Sequence, residues 1–450
     1  MSTTPDDVEK SKPDAPTDAF GDEQNAEIQY KTMNWWHLSL LMLAETISLG
    51  ILSLPWAVSK IGLVPGVILI LVFGLLACYT GTVYGQYKLA NPQIVSIADA
   101  GGILFGRLGP RWARFGHEFF GTAAMLVLVF IMAAHVIGFC LMMDVLAPGK
   151  ACLIWWAVLG TVIQLILTLP RTMKATSYIA ILSSLSVLIS VIIVMNDVTR
   201  KNKGDKMVED PINGASGTPF STAFTAVLNI CISYAGHVAY FSFAAELKNP
   251  NHFKYALWLQ LSIATLLYTV VGGFIYYYVG NNVQAPALGS ASPKVKKIAY
   301  GIASLTIIVA GVVNGHVFCK YFYVRFFSKS MHSKSWKSWG IWASIVTGAW
   351  FVAWLLSELV PSFQHMLALV SALFSAWFTY GASSFFWFDM NRGKVFSSPS
   401  KIFMALFNFF IIVLGAILSF TGIYAVAAEM KNGLSGKIFS CTVPGSGDST

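Results

Sequence analysis

The chain has 450 residues, 56% of them hydrophobic and only 11% charged, with a mean hydropathy of +0.64. Soluble domains carry about 25% charged residues, so a soluble globular protein is excluded and a polytopic membrane protein is expected. The net charge of +9 does not indicate a nucleic-acid partner, because the basic residues are scattered through loops, where the positive-inside rule accounts for them.

Residues 1–33 are acidic and rich in Pro, Asp and Glu, with no apolar run, and read as a disordered cytoplasmic tail rather than a signal peptide. A span needs about 20 apolar residues. Eleven are expected, at 35–59, 64–88, 115–146, 153–170, 174–195, 220–247, 255–279, 298–327, 338–358, 363–388 and 402–428, within a transporter-like domain of 34–430. Residues 431–450 form a short extracellular tail. The sequence is therefore expected to be all-α.

With the N-terminus inside, nineteen of the 30 Lys and Arg residues fall on inner segments. That asymmetry predicts a cytoplasmic N-terminus and an extracellular C-terminus. Spans one and six then run antiparallel, and spans 1–5 and 6–10 would be inverted repeats followed by an eleventh helix. Under this topology Cys152 and Cys441 are the two cysteines at the outer surface, where a disulfide is possible chemistry. Cys78, Cys140, Cys231 and Cys319 sit inside apolar runs and read as packing residues.

The chemistry concentrates in two spans. In the first, Glu45-Thr46-Ile47-Ser48-Leu49-Gly50 interrupts the apolar run ahead of Pro55; in the sixth, Ser233-Tyr234-Ala235-Gly236-His237 does the same. Lipid offers no partners to backbone groups, so a mid-depth break is tolerable only where it lines a cavity. Paired breaks in the two halves point to a transporter binding site. A half-helix starting near Gly50 would aim its amides at an anion such as a carboxylate. The competing reading is a Pro-kinked helix with small residues for close packing.

Glu45 is an acid at bilayer depth, where such residues are rarely idle; it is the first candidate for proton coupling. His237, Asn314 and His316 are assisting candidates, against the alternative of simple interhelical hydrogen bonding. His135 reads as a packing histidine. Glu246–Pro250 reads as a structural exit or gate. No Walker loop, HExxH, GxSxG or Cys/His metal spacing is present, so no enzyme, cofactor or metal is expected, and a receptor or membrane enzyme would leave the paired breaks unexplained.

The stretches 45–56 and 234–250 resemble the amino acid/auxin permease family, a branch of the amino acid–polyamine–organocation transporters, and most of all its fungal neutral amino acid permeases. The resemblance covers residues 34–428. It implies a LeuT-like 5+5 inverted-repeat fold, broken in helices one and six, and secondary uptake of neutral amino acids, bulky or aromatic ones included, across the plasma membrane. The amino acid is then the substrate and the lipid bilayer the surroundings; no protein partner is indicated. Substrate would sit against Thr46, Ile47, Ser48, Leu49, Gly50, Ser233, Tyr234, Ala235 and Gly236. Sodium-coupled relatives use an Asn in the first span and a hydroxyl in the eighth; those positions fall on Ala44 and near His316. The resemblance thus favours H+ as the coupling ion, with sodium-coupled or vacuolar transport as alternatives.

Overall fold

The computed structural model describes residues 31, 33–170, 174–201, 205–208, 210–212, 214, 217–327, 335–360, 362–432 and 438–441. The expected tail over 1–30 lies outside them. The described residues are helical apart from turns and one isolated parallel bridge, Met33 with Leu247. The helices are α1 (Trp35–Ile61), α2 (Leu63–Ala90), α3 (Ile97–Gly106), α4 (Pro110–Leu146), α5 (Leu153–Thr168), α6 (Lys174–Lys201), α7 (Phe220–Ile232) and α8 (His237–Ala245). Then follow α9 (Phe253–Val279), α10 (Pro293–Phe327), α11 (Trp336–Leu359), α12 (Phe363–Val370), a π-helical segment (Ser371–Gly381), α13 (Ala382–Met390) and α14 (Pro399–Lys431).

Each of the eleven expected spans has a helical counterpart. Ten segments are long and apolar enough to cross a membrane, counting α7 with α8 and α12 through α13 as one each. The exception is α5, whose 16 residues reach about 24 Å at 1.5 Å per residue, short of a hydrocarbon core of about 30 Å. Span three begins earlier than expected, because Pro110 at the first helical turn is a tolerated N-terminal residue.

Burial sorts the helices into an inner and an outer set. The most apolar window of α1 is 78% buried, and that of α14 only 28%. α14 therefore lies at the periphery, with Phe403, Leu406 and Phe420 exposed for lipid. α1 packs on α9, α7 and α6, and α10 packs on α4 and α6. At one end of the bundle, the Asp197 carboxylate of α6 accepts from both the amide and the hydroxyl of Ser292, just ahead of α10, at 2.6 and 2.8 Å. A carboxylate there complements the positive end of the helix dipole.

One expectation is corrected. α1 is a continuous helix through Glu45–Gly50 and past Pro55; only span six is broken, at Ser233–Gly236. The hydroxyls in α1 bond back to their own turn: Thr46 to the Met42 carbonyl at 2.7 Å, Ser48 to Glu45 at 3.3 Å and Ser53 to Gly50 at 3.0 Å. Such bonds satisfy polar side chains without opening the helix.

Candidate functional site

Span six loses its helix where Tyr234 and Ala235 turn back on Cys231 and Ile232, and the Gly236 amide reaches the Tyr234 carbonyl at 3.0 Å. The carbonyl-bearing end of α7 thus meets the amide-bearing end of α8 at the gap. The two ends carry opposite partial charges within a few residues of each other.

α1 lies directly against this break. A Cβ at Gly50 would stand 3.0 Å from Ser233 Cβ, Ser233 Oγ and the Tyr268 hydroxyl. Gly50 therefore serves close approach, not helix breakage, and the half-helix expected to start there is absent. Thr46 and Gly50 still reach the site by packing, but the amides at this break that lack an intrahelical acceptor are those that begin α8.

α9 fastens the two elements. The Tyr268 hydroxyl is 2.8 Å from the Thr46 carbonyl and 2.8 Å from the Ser233 carbonyl. Gln260 donates to Thr46 Oγ1 at 3.0 Å, and its own Oε1 is buried with no partner. Tyr234 points away from the gap, donating to the Ile70 carbonyl at 2.9 Å with Thr265 nearby; its role is to hold the break against α2 and α9. Ile47 is fully buried and Leu49 nearly so, whereas Ala235 is partly accessible.

Glu45 is half-buried in the middle of this packed helix, and among the described residues nothing pairs with its carboxyl. It lies within electrostatic reach of Tyr240, whose hydroxyl is buried and unpartnered. Tyr240 in turn packs on His237, ring centroids 4.4 Å apart.

His237 Nε2 is 2.9 Å from Thr80 Oγ1. Thr80 gives its single proton to the Leu76 carbonyl at 2.9 Å, so His237 donates from Nε2 and presents Nδ1 as a bare, buried acceptor.

The other two coupling candidates are not drawn into the site by any recorded contact. His316 hydrogen-bonds the Leu167 backbone of α5 and faces Trp342 of α11. Asn314 donates to Ala310 of its own helix at 2.8 Å, leaving Oδ1 buried and unpartnered. His135 makes an interhelical bond to the Ile307 carbonyl at 2.9 Å, as its packing role predicts.

Sequence reasoning missed Tyr268, Gln260, Tyr240 and Thr80. Each lies within a spanning helix, and its role comes from contacts with residues far away in sequence. Outside the site, a cavity of about 1030 Å³ between α3, α4, the π segment and α13 is lined mainly by apolar residues such as Phe119, Phe374 and Trp377, with Arg107, Glu118, Asp389 and Arg392 among its lining. Cys152, preceding α5, is joined to Cys441 by a disulfide, with Cα atoms 4.5 Å apart.

The helical membrane bundle, with one broken span backed by a buried polar cluster, has a LeuT-like architecture. Its overall fold is similar to that of Mhp1, a nucleobase-cation-symport-1 family transporter solved in a closed conformation, with a TM-score of 0.55 at 14% identity, covering 95% of this chain and 96% of that one. Residues 31–428 match the family described as transmembrane amino acid transporter protein, and the chain belongs to it. It is similar to the N amino acid transport system protein of Neurospora crassa, 29% identical across 93% of this chain and 90% of that protein. It is also similar to the human solute carrier family 38 member 8, 23% identical across 77% and 81%.

Proposed function

We propose that this chain is a secondary active transporter that imports neutral amino acids, bulky or aromatic ones among them, across the plasma membrane by proton symport. The observation that carries the proposal is the break in span six. An amino acid's backbone is a zwitterion, and the break offers a carbonyl end at α7 and an amide end at α8. The carboxylate would rest on the first amides of α8, beside His237, and the ammonium on the end of α7. The family and the Neurospora crassa relative support amino acids as the substrate class.

Glu45 supports the proton: it is a half-buried acid, without a partner, beside the break. By the family resemblance the positions of sodium ligands fall on Ala44 and near His316, which supports protons over sodium.

Uptake of a labelled amino-acid panel by cells expressing the chain tests the reading. Saturable uptake of neutral amino acids, stimulated by an inward proton gradient and indifferent to sodium, is expected. Absence of saturable uptake of any amino acid rejects the function. Uptake that requires sodium and ignores the proton gradient rejects the mechanism.

A further inference from the structure

A second polar cluster, distant from the break in sequence, joins three helices. Glu429, in the last turns of α14, and His365, in the first turn of α12, have side chains only 2% and 3% exposed. Glu429 Oε2 lies 2.9 Å from His365 Nε2 and accepts from Thr225 of α7 at 2.7 Å. Thr222 of α7 also hydrogen-bonds Glu429. On its other side, His365 Nδ1 is 2.6 Å from Ser362 Oγ. Asn229 adds a further tie from α7, donating to the Gln364 carbonyl at 3.1 Å.

The partners of Glu429 are two hydroxyls and an imidazole N–H, a set matched to an ionised carboxylate. Buried charge is costly unless compensated, so such a pair is sensitive to the gain or loss of one proton. The surrounding groups do not duplicate this function. Lys60, at the end of α1, lies within electrostatic reach of Glu429, and Lys431 on α14 itself is exposed. On α7 and the π segment the titratable groups are Cys231 and Tyr380, which face each other. On α4, His135 is bound to Ile307, Cys140 faces the Leu153 carbonyl and Glu358 of α11, and Asp144 faces Lys296. Asp389 of α13 is paired with Arg107.

We propose that Glu429 and His365 form a proton-binding site that latches the outer half of the broken span. With Glu429 ionised, α7 is pinned to α12 and α14 through Thr222, Thr225 and the imidazole. A proton from the outer aqueous phase goes to the His365 imidazole, the more basic of the pair, and turns the contact with Glu429 into an ion pair that holds α7 tightest; loss of that proton leaves a buried carboxylate without its counter-charge, and the latch loosens. Thr225 precedes Ser233 by eight residues, about 12 Å along one helix, so movement at the latch is felt at the break. The inference deepens the proton-symport reading and rests on it for its physiological role.

Native Cys231, on α7 and fully buried, reports the latch without substrate or gradient. In a background of Cys78→Ala, Cys140→Ala and Cys319→Ala, its modification by a membrane-impermeant methanethiosulfonate is followed in intact cells against external pH. Divided by the rate of a fully exposed thiol at the same pH, because the thiolate is the reactive form, the rate is expected to rise as pH rises, by up to about tenfold per unit, the limit for a single proton. Glu429→Gln and His365→Gln should each be modified rapidly at every pH, since either removes the ion pair. If Glu429→Gln does not reach the surface, Thr225→Val carries the test, with faster modification expected at neutral pH. A rate independent of pH in the background, or a pH response unaltered by these substitutions, overturns the proposal. Failure of the symport reading shows instead in the uptake panel, which this labelling does not use.

Discussion

The Tyr268 hydroxyl stands 2.8 Å from the Ser233 carbonyl at the break in span six, and the same oxygen stands 2.8 Å from the Thr46 carbonyl of α1. A hydroxyl has one proton, so one side chain serves two backbone acceptors on two elements. Fully buried itself, Tyr268 fixes the distance across which a substrate backbone would be held.

Removing that hydroxyl should loosen the site. Tyr268→Phe removes the one proton that the Ser233 and Thr46 carbonyls share, a cost of about 1–3 kcal/mol. A lower melting temperature in detergent and a raised KM for uptake are expected. Unchanged values for both would show that the hydroxyl is dispensable.

Gly50→Ala should act by crowding. The new methyl would sit 3.0 Å from Ser233 and from the Tyr268 hydroxyl, and overpacking of this kind costs about 1–3 kcal/mol. Uptake should fall about tenfold, since roughly 1.4 kcal/mol corresponds to one decade. Gly301→Ala, where an added Cβ meets nothing within 4 Å, is the matched control and should transport normally.

Glu45→Gln should separate binding from accumulation. The amide imitates a permanently protonated acid, so exchange of labelled for unlabelled substrate survives while proton-driven accumulation collapses. One charge entering with a zwitterion draws about 2.3 kcal/mol from each 100 mV of membrane potential, roughly a fortyfold gradient. A variant that still accumulates with the wild-type pH dependence would show that Glu45 only braces the bundle.

The Cys152–Cys441 bond should be visible from outside the cell. An impermeant thiol reagent is expected to label neither residue until a reductant is added, and Cys441→Ser should expose Cys152. Full labelling of both before reduction would exclude the bond under this topology.

The spans were legible because apolar runs of about 20 residues have few alternatives, and the break in span six was legible in Ser233-Tyr234-Ala235-Gly236-His237. The same composition misled in span one. There Thr46, Ser48 and Ser53 satisfy themselves on carbonyls three or four residues back, which a continuous helix permits. Glycine has two uses, strained backbone and close approach, and only the neighbouring Ser233 and Tyr268 decide between them at Gly50. Tyr268 acts on a residue 222 positions away, a pairing that one sequence cannot reveal. Likewise the rotation of His316 toward Trp342 depends on how α10 packs, not on its place in a polar patch.

The bridge between Met33 and Leu247 ties the entry of α1 to the exit of α8. Met33 donates to the Glu246 carbonyl at 3.2 Å and accepts from the Lys248 amide at 3.1 Å. Met33 thus belongs to the ordered bundle, although its sequence places it in the tail. The bridge turns Glu246–Pro250 from a free hinge into a shared handle. Whatever swings the short helix α8 must carry the start of α1 with it, so the polar stretches Glu45–Gly50 and Ser233–His237 are hitched at the same end and travel as a pair. A pull on the segment leading into Trp35 would then be transmitted, through backbone hydrogen bonds alone, to His237 at the head of α8.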